Sequence, residues 1–183
     1  MKRTFPQLII LSWLAIFQAG CQPDSSEKLS APLVSDTLKV PLTDTLAFSA
    51  TGKGVQIYEC RANKDNANQY AWVLKAPDAD LFDARGKKIG HHFGGPTWES
   101  SDGSKVKGEL KGSEPSTDAK AIPWLLLRAK THEGNGIFRR VNSIQRLETR
   151  KGKAPSGGCD QPAVGKQLQV PYTAVYYFYE SKP

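Results

Sequence analysis

The 183-residue sequence lacks several features that would place it in a common class of protein. No apolar run reaches the roughly 18 to 20 residues of a membrane-spanning helix, so none is expected. No segment after residue 36 keeps a helical period, which argues against a helical domain. The hydrophobic fraction of 39% still suffices for one core, and the length suits one domain.

Motifs of several enzyme and cofactor classes are absent as well. There is no G-x-G-x-x-G of a dinucleotide-binding fold, no G-x-S-x-G nucleophile elbow, and no H-E-x-x-H or paired C-x-x-C metal spacing. We therefore expect no cofactor and no resident metal. Nothing in the spacing of the residues positively indicates an enzyme.

Residues 1–20 have the organisation of a secretory signal peptide. Lys2 and Arg3 provide a positively charged start, and residues 8–19 form a short apolar stretch that ends in small residues. Removal of this segment lowers the formal charge from +7 to +5, because it contains two basic residues and no acidic one. Nucleic acid is not expected as a partner of an exported protein.

The residues around the expected cleavage point suggest a lipid anchor. Cys21 directly follows the small pair Ala19 and Gly20, which resembles a bacterial lipobox with Gln18 in place of the usual leucine. By this resemblance, Cys21 becomes the lipid-modified first residue and the membrane partner. Gln22 is not the aspartate typical of inner-membrane retention, which favours the outer membrane. A plain secreted protein is the alternative.

Three cysteines cannot all pair within one chain. If Cys21 carries lipid, Cys60 and Cys159 remain, and an oxidising compartment favours a disulfide between them. Such a bridge closes a loop of about 100 residues, which stabilises by roughly 4 to 5 kcal/mol in the chain-entropy model. Two buried free thiols are the alternative.

The rest of the chain divides into a lipidated N-terminus with a flexible tether, 21–36, and one domain, 37–183. Short apolar or alternating runs separated by turn residues predict about eight to ten strands. The fold class is therefore all-β, either a β-sandwich or a partly closed β-barrel. The clearest strand signals lie at residues 55–60, 70–74, 105–110, 124–128, 141–149 and 172–179.

Several blocks occur in order along the domain: GVQIYEC at 54–60, GHHFGGPTW at 90–98, DGS at 102–104, IPWLLL at 122–127, IQR at 144–146 and PYTAVYYFY at 171–179. Together they resemble an uncharacterised family of secreted bacterial, often lipoprotein, and fungal proteins known as a domain of unknown function. The resemblance implies an extracytoplasmic, mostly β domain. It implies no established activity.

The segment 90–104 concentrates glycine, aromatic and polar residues. In a strand, His91 and His92 point to opposite faces, and His92 matches the histidine of the family block. We predict a ligand-binding groove that uses this segment and two neighbouring blocks. Its residues are Gln56, His92, Trp98, Asp102, Ser104 and Arg146.

Other assignments remain open beside this groove. His92 is alternatively a histidine bonded to a loop backbone, and Trp98 is alternatively core, as we expect for Trp72. Arg146 is expected to be partly buried and paired with Asp102, Glu59 or Glu109. The basic residues at 139–153 are interpreted as a solvated strand edge, with anionic lipid as the other possibility.

The sequence thus predicts an outer-membrane lipoprotein facing the periplasm or the cell surface. It would act as a binding or structural module, with a glycan, lipopolysaccharide or another small molecule as the possible ligand. The alternative is a secreted hydrolase or metal-dependent enzyme that uses His92 with Asp102 or Glu99. No catalytic residue is assigned.

Overall fold

The computed structural model describes residues 30, 32–64, 66 and 68–182, and this part of the chain is almost entirely β-structure. Short 3₁₀ turns at Asp36–Leu38 and Gln161–Ala163 are its only helical elements, and none of its helices could cross a membrane. The all-β prediction is confirmed. The strands are β1 (Asp44–Ala62), β2 (Tyr70–Phe82), β3 (Lys88–Phe93), β4 (Thr97–Ser100), β5 (Lys105–Glu114), β6 (Trp124–Glu133), β7 (Val141–Lys151) and β8 (Gln167–Ser181).

The strands form one antiparallel sheet that closes into an uneven barrel. Each strand pairs with the next along the chain, and β8 pairs back with β1. The connections therefore alternate between two ends. We call the end with the β1–β2, β3–β4, β5–β6 and β7–β8 connections the upper end, and the other the lower end.

The wall of the barrel has a gap near its upper end. β4 has 4 residues and β3 has 6, whereas the flanking β2 has 13 and β5 has 10. β2 pairs with β3 only over residues 79–82, and β5 pairs with β4 only over residues 105–107. The remaining parts of β2 and β5 thus border an opening that the short β3–β4 hairpin does not fill.

The barrel interior is apolar at its lower end. Phe178 stacks on Phe48 with ring centroids 4.7 Å apart and contacts Phe138 at 5.1 Å. Leu81 and Val106 are fully buried beside them. Burial of this many apolar side chains is the main source of stability for such a domain.

A second apolar cluster lies on the outside of the barrel, under residues 34–40. Leu38 is fully buried there against Leu126 and Leu147. The amide of Gln145 donates to the Leu38 carbonyl at 2.6 Å, and the Tyr179 hydroxyl donates to the Gln145 side-chain carbonyl at 2.6 Å. The segment is thereby fixed to β6 and β7. The expected signal peptide, Cys21, and residues 21–29 and 31 of the expected tether lie outside the described residues.

The disulfide prediction is confirmed. Cys60, at the end of β1, is bonded to Cys159 in the β7–β8 connection, with Cα atoms 5.4 Å apart. Backbone hydrogen bonds from Cys60 to Lys166 and from Gly165 to Cys60 support the same junction. The expectation that Trp72 is core is wrong, because its half-exposed ring lies outside and its Nε1 donates to the Gly157 carbonyl at 2.9 Å.

Removal of the disulfide should destabilise the domain without changing its fold. In the chain-entropy model, a bridge across 99 residues stabilises by about 5 kcal/mol. We expect the double variant Cys60→Ser, Cys159→Ser to lose up to about this much unfolding free energy in urea denaturation. Reduced wild-type protein is the control and should match the variant. An unchanged midpoint in the variant would contradict the prediction.

Candidate functional site

The gap between β2 and β5 opens into a cavity of about 510 Å³. This volume lies within the range of small-molecule sites in proteins. Side chains from five different strands form its inner surface, so the closed sheet holds them in fixed positions. These residues, which we call the floor, are Gln56, His92, Trp98, Arg146 and Tyr176.

The walls of the cavity are largely apolar. Leu125 and Leu127 of β6 line it, and Leu74 and Leu110 border its opening although they are 50% and 55% exposed. Gly108 lies between wall and floor, where an added Cβ would come within 3.0 Å of the Trp98 ring. A side chain at this position would therefore press on the indole ring.

The opening also carries several charged side chains. Lys75, Lys107 and Lys130 line it together with Glu109. Glu109 is also 3.0 Å from Lys111, which lowers its pKa. The balance of charge at the opening is therefore positive.

Four of the six residues predicted for the groove line this cavity: Gln56, His92, Trp98 and Arg146. Three of them are almost completely buried, and Arg146 is half-buried. Trp98 is both core and cavity lining, so the two alternatives considered for it are compatible.

Asp102 and Ser104 lie elsewhere, in the β4–β5 turn at the lower end. The Ser104 hydroxyl donates to Asp102 Oδ1 at 2.6 Å, and the Ile137 N–H donates to Oδ2 at 2.9 Å. These hydrogen bonds, with Ser104 the largest contributor, lower the pKa of Asp102 to about 2. The Phe138 N–H donates in turn to the Ser104 hydroxyl at 3.2 Å. The pair therefore joins this turn to the β6–β7 connection.

His92 is held by backbone and ring contacts. Its Nδ1 is 2.9 Å from the Thr97 carbonyl, which can only accept, so Nδ1 carries the hydrogen. Its ring stacks on Trp98 at 4.4 Å and meets the edge of Tyr176 at 5.1 Å. Burial lowers the pKa of His92 to about 3, and the Arg146 charge adds to this. His92 is thus neutral, and Ser104 uses Asp102 rather than this imidazole as its acceptor.

Glu99, the other candidate partner of His92, lies on the outer face of the sheet. It is paired across the strands with His91 and is 3.4 Å from the Lys105 ammonium. Because side chains alternate along β4, Glu99 and Trp98 point to opposite faces. Within the described parts of the chain, no group of three His, Cys, Asp or Glu side chains could hold a metal ion.

The prediction that Arg146 pairs with a carboxylate is wrong. Arg146 donates from Nε at 3.2 Å and from Nη2 at 2.8 Å, both to the Pro123 carbonyl. Glu59 instead pairs with Arg61. No carboxylate of the described residues forms an ion pair with Arg146. A half-buried positive charge therefore remains unneutralised at the floor, which is unfavourable without a compensating group.

The match to a known family covers the cavity as well as the fold. The model of a family described as "Protein of unknown function (DUF3455)" matches residues 41–180. The chain belongs to this DUF3455 family. No curated protein and no solved structure matches it. The matched range contains every residue of the cavity lining, but the family carries no activity to transfer.

Two side chains of the floor of this DUF3455 domain contain hydrogen-bond donors that are buried and unpaired. Among the described residues, Trp98 Nε1 and Gln56 Nε2 are buried without a partner; Gln56 approaches the Tyr172 hydroxyl but does not reach hydrogen-bond geometry. Leaving such a group unpaired costs about 1 to 3 kcal/mol. Trp124 Nε1 is the third such donor in the described part of the chain, and it belongs to a residue packed against the outer Leu38 cluster.

Sequence reasoning missed Tyr176, the leucine walls and the lysines at the opening. Tyr176 follows from the strict alternation of β8, where Tyr172, Ala174, Tyr176 and Phe178 all face inward. The lengths of the strands around β4 carried a second signal, since a short hairpin between two long strands leaves part of their edges unpaired.

The neutrality of His92 predicts a pH dependence of stability. Because its folded pKa of about 3 lies below the unfolded value of 6.5, the unfolded chain binds more protons between these limits. The contribution of neutral His92 to the unfolding free energy is therefore fully present above pH 6.5 and decreases as the pH falls towards 3. Between pH 7 and 4.5, the wild type should lose about 2 kcal/mol more unfolding free energy than His92→Gln in urea denaturation. Equal losses in both proteins would contradict the neutral, buried imidazole.

Proposed function

We propose that this protein is an outer-membrane lipoprotein whose barrel binds a small molecule in the cavity between β2 and β5. The observation that carries the proposal is the floor itself. It places a guanidinium without an ion-pair partner, Arg146, in a cavity whose lining includes the apolar side chains of Leu125 and Leu127. Binding sites typically have this form, with an apolar lining and a few convergent polar groups.

The arrangement supports binding rather than catalysis. A general base must reach the proton that it removes, directly or through one water molecule. His92 is stacked on Trp98, meets the edge of Tyr176 and is held neutral, and the carboxylates considered as its partners belong to the lower turn and to the outer face. A glycan longer than one or two sugar units is also a poor match to a cavity of about 510 Å³. A compact ligand is therefore favoured.

The location in the envelope is supported by the sequence and by the disulfide, a bond typical of exported proteins. Residues 34–40 run from the upper end, where the Ser35 hydroxyl donates to Glu114, to β1 at the lower end. A lipid at Cys21 would thus be connected at the same end as the cavity.

Binding in the cavity is tested with a mixed panel of small acids, bases, sugars and neutral amphiphiles, using ligand-observed NMR on the domain. We expect at least one binder, whose affinity falls about fivefold in Leu74→Ala because apolar contact at the opening is lost. Val73→Ala is the matched control, since Val73 is the next residue on β2, is 39% exposed and does not line the cavity. No binder, or equal losses in both variants, would contradict the proposal.

The anchor is tested in a bacterial host that processes lipoproteins. Cys21→Ala should abolish incorporation of radiolabelled palmitate and release the protein from membranes, because the thiol that accepts the lipid is gone. Gln22→Asp is the matched variant and should keep the label but move the protein to the inner-membrane fraction. Labelling that persists in Cys21→Ala would refute lipidation at this residue.

A further inference from the structure

We propose that the ligand of the cavity is a small organic carboxylate, bound through its carboxylate by Arg146 and through its apolar body by the leucine walls. This assignment rests on the proposed function and specifies the chemistry of the same site. Four observations support it: the guanidinium without an ion-pair partner, the polarity of the floor, the balance of charge, and the exposed leucines.

The guanidinium of Arg146 is held by the Pro123 carbonyl, approaches the Tyr176 hydroxyl without reaching hydrogen-bond geometry, and has no ion-pair partner among the described residues. A guanidinium offers a side-on pair of donors, Nε and Nη2, and an end-on pair, Nη1 and Nη2. The Pro123 carbonyl occupies the side-on pair, at 3.2 and 2.8 Å. The end-on pair keeps the spacing that a carboxylate matches with two parallel hydrogen bonds. The contact with Pro123 also fixes the plane of the guanidinium.

The two unpartnered groups on the floor are donors and not acceptors. The indole Nε1 of Trp98 can only donate, and the unpaired atom of Gln56 is its amide nitrogen. Both atoms are buried from the solvent-filled cavity, so a ligand would reach them only if their side chains moved, and they contribute to the site mainly by making the floor poor in acceptors. An ammonium group would bring further donors and a repulsive charge to the same place.

The charge at the floor corresponds to a single negative charge on the ligand. Arg146 has no ion-pair partner among the described residues, and neutral His92 adds no second charge. A monoanion neutralises one guanidinium, whereas a phosphate dianion would leave an excess negative charge in a partly buried site. Lys75, Lys107 and Lys130 at the opening would attract anions from solution without selecting among them.

The apolar walls of the cavity indicate that the ligand has an apolar group in addition to its carboxylate. Leu74 and Leu110 remain half-exposed beside the opening, while Leu125 and Leu127 line the cavity behind them. An apolar body placed here would remove these side chains from water, which is favourable in proportion to the area covered. Acetate would lack this contribution, and an aliphatic or aromatic acid would gain it.

The assignment is tested by calorimetric titration of the full domain with octanoate, octanamide, acetate and octyl phosphate. Octanoate and octanamide share a chain and differ in charge, so we expect octanoate to bind at least about 10-fold more tightly. Acetate should bind far more weakly because it lacks an apolar chain, and the affinity of octyl phosphate should not exceed that of octanoate. Equal binding of octanamide, or tighter binding of octyl phosphate, would overturn the assignment to a carboxylate monoanion.

Arg146 is tested by substitution. Arg146→Gln should weaken octanoate about 10- to 100-fold and leave octanamide nearly unchanged. Arg146→Lys keeps the charge but loses the paired donors, so its affinity should lie between those of the wild type and Arg146→Gln. Arg150→Gln, at an exposed residue of β7 outside the cavity, is the matched control and should bind as the wild type does.

Near-UV circular dichroism verifies the fold of each variant, and Arg146→Lys replaces Arg146→Gln if the latter unfolds. Octanoate affinity that is unchanged in the folded Arg146 variants would overturn the role of this residue. The two proposals fail in different ways. Binding of neutral compounds alone would reject the carboxylate and keep the binding function, whereas the absence of any binder in the mixed panel would reject both.

Discussion

A strand of four residues in a ring of much longer strands is the constraint on which the site depends. A closed antiparallel sheet must satisfy the backbone groups of every strand, and β4 can do so for its neighbours only over its own length. The upper part of β2 and the upper part of β5 consequently have no strand between them. Their separation exposes the barrel interior from the side, and interior residues become the surface of a cavity.

The polarity of the interior differs between its two ends. At the lower end, where the wall is complete, the residues are phenylalanine, leucine and valine. Around the cavity, tyrosine, glutamine, histidine and arginine lie beside leucine and tryptophan, and burial of their polar atoms is costly where they are not hydrogen-bonded. The domain can carry such residues because its stability comes from elsewhere: the lower core, the outer cluster under residues 34–40, and the disulfide.

The parts of the structure that follow local rules were predictable from the sequence. Alternation identified the strands, and the parity of the cysteines identified the pairing of Cys60 with Cys159. Asp102 and Ser104 were misplaced in the groove because an Asp-Gly-Ser turn in the same chain segment as His92 says nothing about which end of a strand it caps. Asp102 and Ser104 are close to His92 in sequence, but they follow β4 and therefore lie at the opposite end of that strand from the β3–β4 connection.

The partner of Arg146 was unpredictable for a different reason. Sequence reasoning assumed that a partly buried guanidinium must meet a carboxylate, and the candidate carboxylates bind Arg61, Lys111 and the lower turn instead. A carbonyl, that of Pro123, takes its place. A carbonyl orients a guanidinium without neutralising it, which leaves a charge that is fixed in direction and still unpaired.

That combination is what a preorganised anion site requires. A ligand gains most when the group that binds it is already held in the bound orientation, since no freedom is then lost on binding. The contact between Arg146 and Pro123 also links β7 to the residue before β6, so a hydrogen bond between two neighbouring strands positions the charge. If the proposed function holds, one side chain serves both the fold and the ligand.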